Sequence, residues 1–459
     1  MMNITMVFCM LLSLALKAGI TFDKEQPKSS EEKVMADTKK ALAGADIKNV
    51  TARLKVEGAS FRRFNLYFPE TKIVANSSAQ NRLAREIRAI VDRDLEISGG
   101  FSLVSHPSSS ASEALMKQKG AEGITTLTLT IKPDVVSAHV EHKNLGSGQK
   151  DPHDFSANHK GLRRLAHQIA QSIYESYIGK ENLFMLQMAA VKREGSSSQI
   201  VLMDFDGHSE SAISEGTWSK ASPYFSPDGK TILYGVISPK GQGIVEQDIA
   251  SKKMVFRTKK QGINLDPRVM PDNSGLLATL SFEGNANIYR LSRSGAVVHK
   301  MTKGLGLSLS PSISPNGKLF AFVSDRTGTP QIYVQELSPT ASADKLKIPG
   351  KYNQTPHFNH DGTLITFTGR DENKVFDIFI FDRLSERVTR VTENQGRNQE
   401  PFFSPSGRFV IFTSEREGKR KPDIFIATLN GNHQYRLTNA NSDAKSQGYY
   451  SPVFRPEQK

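Results

Sequence analysis

The sequence predicts a multi-domain chain: a small N-terminal α/β domain, then a six-bladed all-β propeller closed by strands from both ends of the propeller region. Three observations carry this. One short phrase recurs six times, β-rich runs follow it at fixed offsets, and the two ends of the repeat region are incomplete in complementary ways.

The phrase reads Pro223-Tyr224-Phe225-Ser226-Pro227-Asp228-Gly229, and it returns at Pro267, Pro311, Pro356, Pro401 and Pro452, at spacings of 44, 44, 45, 45 and 51 residues. A fixed period of this size marks one supersecondary unit used repeatedly. Its Pro-Asp-Gly is turn chemistry: a fixed φ, a side-chain acceptor and a residue that tolerates positive φ. A β-rich run follows the turn, as at 231–234, 319–323, 364–367 and 409–412. A second run begins 21 to 23 residues after the leading proline, at Ile288, Ile332, Ile378 and Ile424. A weaker polar strand closes each unit, as at 390–392 and 436–438. Short strands separated by turn signals form an antiparallel meander, and four per repeat match one propeller blade.

Residues 184–191 and 199–203 look like outer strands of a blade that lacks its first strand. The last phrase, Pro452-Val453-Phe454-Arg455-Pro456, is a first strand lacking the rest. Joining them makes a sixth blade and removes the exposed edges that invite aggregation. Residues 183–459 are therefore read as the propeller.

Residues 1–19 are apolar from Met6 to Leu16, too short to span a bilayer and suited to a cleavable signal peptide. Residues 20–50 form a charged extension expected to be disordered. Residues 51–182 form the α/β domain, with strands at 64–68 and 124–131 and helices at 81–95 and 162–178. The second helix carries a stripe of Leu165, Ile169, Ile173 and Tyr177. The only cysteine is Cys9, inside the signal segment, so no disulfide framework is available to a processed chain.

Catalytic signals are weak. Gly207-His208-Ser209-Glu210-Ser211 lacks the last glycine of a nucleophile elbow and follows a turn instead of opening a helix. Asp204-Phe205-Asp206-Gly207 lacks the remaining oxygens of a calcium loop and reads as a tight turn. His139 and His142 fall on a strand or its exit, His153 and His159 in a polar loop. All four read as solvated histidines, not zinc ligands. No catalytic residue, metal or cofactor is expected.

The net charge of +13 does not point to a nucleic acid partner. Residues 1–182 hold 25 basic and 20 acidic residues and the rest hold 35 and 27, so the excess is spread. The run Lys419-Arg420-Lys421 reads as a solvated loop.

In a propeller the first strand of each blade lines the central channel. The residues before the leading prolines, Ser222, Asp266, Ser310, Thr355, Glu400 and Ser451, therefore form a polar ring expected at a channel mouth. One step further out lie Ala221, Leu265, Leu309, Gln354, Gln399 and Tyr450. Such a ring suits an inserted partner segment; the plainer alternative is polar residues at loop ends. Charge reversal at Asp266 and Glu400 together is expected to abolish partner binding without unfolding the chain.

The phrase together with the preceding α/β domain resembles the TolB family, a resemblance that covers the chain from near Val50 to its end. It implies a periplasmic, monomeric, non-enzymatic adaptor of the Tol–Pal system, serving envelope integrity and outer-membrane constriction at division. It further implies that the propeller mouth receives Pal, the peptidoglycan-associated lipoprotein, around Ile263, Asp266, Leu309 and Ser310. A histidine typical of one such position is replaced here by Ile263. The family's TolA-binding strand maps onto Arg53, Leu54, Lys55 and Val56, here preceded by the charged extension. The alternative is a propeller hydrolase or small-ligand-binding protein using the same channel.

Overall fold

Strand alternation and helical stripes build the N-terminal part. In a computed structural model, residues 62–105, 112–304, 306–370, 374–416, 421–442 and 446–456 are described. The signal segment, the charged extension, Arg53 to Val56 and the Lys419-Arg420 pair lie outside the described residues. The mixed sheet contains β1 (Phe64–Tyr67), β2 (Lys72–Val74), β3 (Phe101–Leu103), β4 (Gly123–Ile131), β5 (Val136–Asn144) and β6 (Lys150–Ala157), in the order β3-β1-β4-β5-β6 with β2 beside β4. Helix α1 (Ser78–Ser98) starts at a capping Ser77 hydroxyl and ends at Gly99, whose φ of 60° suits a left-handed cap. A short α2 (Glu113–Gln118) and a longer α3 (Leu162–Tyr177) complete it. Leu165, Ile169 and Ile173 of α3 and Ile87 and Val91 of α1 are buried against the sheet. No helix among the described residues is long and apolar enough to cross a membrane.

Residue 153 corrects the sequence reading. The polar stretch after β5 is strand β6, paired along its length with β5, because an exposed edge strand needs no apolar alternation. His142 is likewise not solvated: it is 1% exposed, on the buried face of β5 with Val136, Ala138 and Val140.

Five complete blades follow: residues 219–258, 264–300, 308–345, 353–390 and 397–436, each a four-stranded antiparallel sheet. The sixth pairs the C-terminal strand Ser446–Phe454 with β7 (Gln187–Glu194), β8 (Ser197–Asp204) and β9 (Ser211–Ala212). The ring thus closes with strands from both ends, and every innermost strand packs on its neighbours in the next blades.

The repeated phrase has two jobs. Its Ser-Pro-Asp-Gly half closes the first hairpin. Ser226 Oγ donates to Asp228 Oδ1 at 2.6 Å and accepts the Thr231 N–H at 3.0 Å, and Ser314 and Ser404 repeat the arrangement. The outer hairpins seal blade to blade. Gly295 (φ 93°) sits where a Cβ would lie 1.6 Å from the Arg257 carbonyl oxygen of the preceding blade, so only glycine allows that approach.

Candidate functional site: the central chamber

The leading prolines lie within the innermost strands, not at loop ends. In all six strands the register shifts across the residue before the proline and the proline itself, as between Ala221 and Tyr224. Proline has no N–H to lose there, so the bulge costs the ladder little. The residues before it, Ser222, Asp266, Ser310, Thr355, Glu400 and Ser451, take φ values of 51°, 52°, 51°, 51°, 57° and 48°. Left-handed backbone at six non-glycine positions is strain repeated in every blade. All six line one central chamber of about 190 Å³, together with Ile263 and Leu309. The structure therefore brings all eight channel residues of the sequence reading to one cavity.

Asp266 and Glu400 belong to blades two and five, three places apart in a six-membered ring and hence on opposite walls. Asp266 accepts from Ser222 Oγ (2.6 Å), Ser310 N (3.1 Å), Ser310 Oγ (3.2 Å) and Thr279 Oγ1 (3.3 Å). Its carboxylate straps blades one, two and three. Glu400 Oε2 accepts from Ser451 N (2.6 Å) and Thr413 Oγ1 (3.2 Å), and the Thr355 and Thr368 hydroxyls meet at 2.7 Å. The ring is thus partly structural. Reversing the Asp266 charge would strip these bonds, so the expectation that charge reversal leaves the fold untouched does not follow from the geometry.

A second layer lies one residue past each proline. Arg268, His357, Phe402 and Val453 line the chamber from this layer. His357 stacks on Phe402 with centroids 3.7 Å apart, and its Nδ1 accepts the Phe403 N–H at 3.3 Å. Burial, assisted by the Arg268 charge, pushes its pKa down to about 3, so the ring is neutral. Arg268 lies 4.9 Å over the Tyr224 ring and donates to the Pro267 carbonyl at 2.8 Å. At the rim, the Arg397 guanidinium lies 5.0 Å from Phe376 and that of Arg193 4.1 Å from Tyr450. The sequence reading stopped at the residues before the prolines and missed this layer. Its signal is the same: Tyr, Arg, Ser, His, Phe and Val fail to repeat where the rest of the phrase does.

Two other clusters are structural in their contacts. His142 places its ring nitrogens 3.0 Å from Thr125 Oγ1 and 3.2 Å from Ser172 Oγ, and burial pushes its pKa down to about 4. The Asp204–Gly207 segment is the tight turn expected, with Gly207 N donating to Asp204 O at 2.9 Å. At the seam between α3 and this turn, His167, Asp204 and Asp206 bring ligand-type atoms within 4.8 Å of one another. Arg163 already supplies a cation there, 2.6 Å from Asp206 and 3.6 Å from Asp204, while His167 is held by Asp94 at 2.7 Å. The cluster ties the α/β domain to the sixth blade.

A family model described as PD40, the TolB beta propeller domain, matches residues 174–383. A Francisella tularensis relative named Tol-Pal system protein TolB is 28% identical over 294 residues, covering 61% of this chain and 66% of its own length. A Chlorobium luteolum relative named Protein TolB homolog is 30% identical over 283 residues, covering 62% and 64%. The propeller part of the chain is similar to the TolB family. It spans a little under two thirds of the length of these curated relatives. The solved TolB of Acinetobacter baumannii superposes with a TM-score of 0.74 at 21% identity, over 86% of this chain and 97% of that one. The fold of this chain is therefore shared, over most of its length, with a solved structure.

Proposed function

We propose that this chain is a non-enzymatic, periplasmic adaptor of a Tol–Pal system, monomeric by itself, whose central chamber receives a segment of a peptidoglycan-associated lipoprotein. The observation that carries this is the chamber itself. Eight residues at positions that vary among the blades, Ser222, Ile263, Asp266, Leu309, Ser310, Thr355, Glu400 and Ser451, converge on one cavity. Groups that vary within a repeated frame and face one cavity suit recognition, beyond the bonds some of them make between blades. The name of the Francisella relative supports the assignment to a Tol–Pal system.

Chamber chemistry favours an adaptor over a hydrolase. The Ser222 and Ser310 hydroxyls donate to a carboxylate and not to an imidazole, and His357 has its Nδ1 engaged by backbone. The lipoprotein would bind through a bulky anchor at the apolar rim of Ile263 and Leu309 and polar groups deeper in the ring. Division and envelope integrity would follow from that link. A TolA-type inner-membrane protein would engage the Arg53, Leu54, Lys55 and Val56 segment by strand addition.

The test is direct binding of the full chain to the purified lipoprotein domain from the same source. Ile263 is only partly buried, so Ile263→Glu is expected to weaken binding at least about tenfold with unchanged thermal stability. An unaltered affinity, or no binding by the wild-type chain, contradicts the proposal.

A further inference from the structure

Arg268 is the chamber's unexplained charge. It lines the cavity two residues along the innermost strand from Asp266, and no residue later in that strand lines it. Its Nε is buried with no hydrogen-bond partner, and the guanidinium makes no ion pair among the described residues. Its one hydrogen bond goes to the backbone carbonyl of the preceding residue. The carboxylate whose charge reaches it, Asp266, has its own oxygens taken by three hydroxyls and one N–H of the ring. His357 beside it is neutral and cannot help or compete. A guanidinium whose Nε is shielded from water and whose nearest carboxylate is tied to other groups is costly to keep, and such a charge is found paired or serving a ligand.

We propose that Arg268 is the floor of a carboxylate-binding pocket, and that the inserted segment of the chamber's ligand ends on it with an acidic side chain or a free C-terminal carboxylate. The planar fork of a guanidinium matches a carboxylate in a bidentate pair. A phosphate is disfavoured. Asp266 and Glu400 already place two acidic groups on the chamber wall, and a dianion meets twice the repulsion that a single carboxylate does. Their tethering by Ser222, Ser310 and Ser451 holds them against the wall, which leaves the passage to Arg268 lined by groups that are already satisfied. Phe402 and the His357 ring stacked on it supply a flat apolar side to the pocket, which strengthens any ion pair formed there by excluding water.

The inference rests on the chamber being a ligand site and specifies its chemistry, and two probes separate its failure from failure of the adaptor reading. The first is N-acetyl-glutamate amide, with N-acetyl-glutamine amide as its neutral isostere, read by thermal unfolding of the full chain. The acid at about 50 mM is expected to raise the wild-type midpoint while the isostere does not. Arg268→Met is expected to abolish that response and, by removing a buried unpaired charge, to melt no lower than wild type without ligand. Arg268→Lys is expected to restore part of it. A purely structural arginine would give the opposite: a less stable methionine variant with no change in ligand response. The second probe is the purified lipoprotein domain, for which Arg268→Met is expected to lose at least about tenfold in affinity. If the methionine variant binds the lipoprotein as well as wild type does while Ile263→Glu fails to, the inference is overturned and the adaptor reading stands. If wild type does not bind the lipoprotein, the adaptor reading falls and the small-acid probe decides alone. No anion-specific response in wild type overturns the carboxylate floor.

Discussion

His142 shows how a single side chain carries a consequence that can be measured. It is buried between β5 and α3 with both nitrogens near hydroxyls, and His153, Asp151 and Tyr177 are the titratable groups around it. Its pKa falls from 6.5 to about 4, so the unfolded chain binds a proton that the folded domain refuses. Stability from this group is complete above pH 6.5 and is lost as pH falls toward 4. Between pH 7 and 5 the expected loss is about 2 kcal/mol. Denaturant unfolding at the two pH values checks it; in His142→Gln the pH-dependent part should shrink, and an equal loss in the variant contradicts the assignment. The burial was legible in principle. Val136, Ala138, Val140 and His142 share one face of β5 by simple alternation, but a histidine breaks the apolar reading of that face.

At the level of the element, the blade is where sequence reasoning reached furthest. Ser-Pro-Asp-Gly specifies its hairpin through contacts within a few residues, such as Ser226 with Asp228 and Thr231, so each repeat announces its own turn. The left-handed bulge was not legible. Nothing in a single repeat requires Ser222 or Thr355 to take positive φ, because the bulge serves the ring and not the strand. The second layer escaped for the same reason: Tyr224, Arg268, His357 and Phe402 come from four different blades and meet only after closure. Close approach between blades also separates glycines that look alike in sequence. Gly295 would place a Cβ 1.6 Å from a backbone oxygen, whereas Gly317 at φ 67° has nothing within 4 Å. Gly295→Ala is expected to destabilise by roughly 3 kcal/mol or more, and Gly317→Ala by only about 1 kcal/mol, from backbone strain alone. Equal melting shifts for the two variants would contradict the inter-blade seal.

For the whole molecule, closure turns six similar strands into one asymmetric chamber. The C-terminal strand pairs with β7 across 268 residues of sequence, from Arg455 to Gln187, and so places Ser451 beside Glu400. The α/β domain is fastened to the same sixth blade through Arg163 and Asp206, which links the two parts of the chain at the blade that completes the ring. The propeller fold and the location of the chamber could be read from spacing, since a 45-residue period fixes which residues face the axis. The internal bonding of the ring could not, because it joins groups 44 or 51 residues apart, such as the Ser222 hydroxyl with Asp266 and the Ser451 N–H with Glu400.

The central claim is that this chamber recognises a protein partner. Calorimetric titration of the purified lipoprotein domain into the full chain and into the Ile263→Glu variant tests it most directly. The account expects at least about a tenfold loss of affinity in a variant whose circular dichroism spectrum is that of wild type. Equal affinities would contradict it.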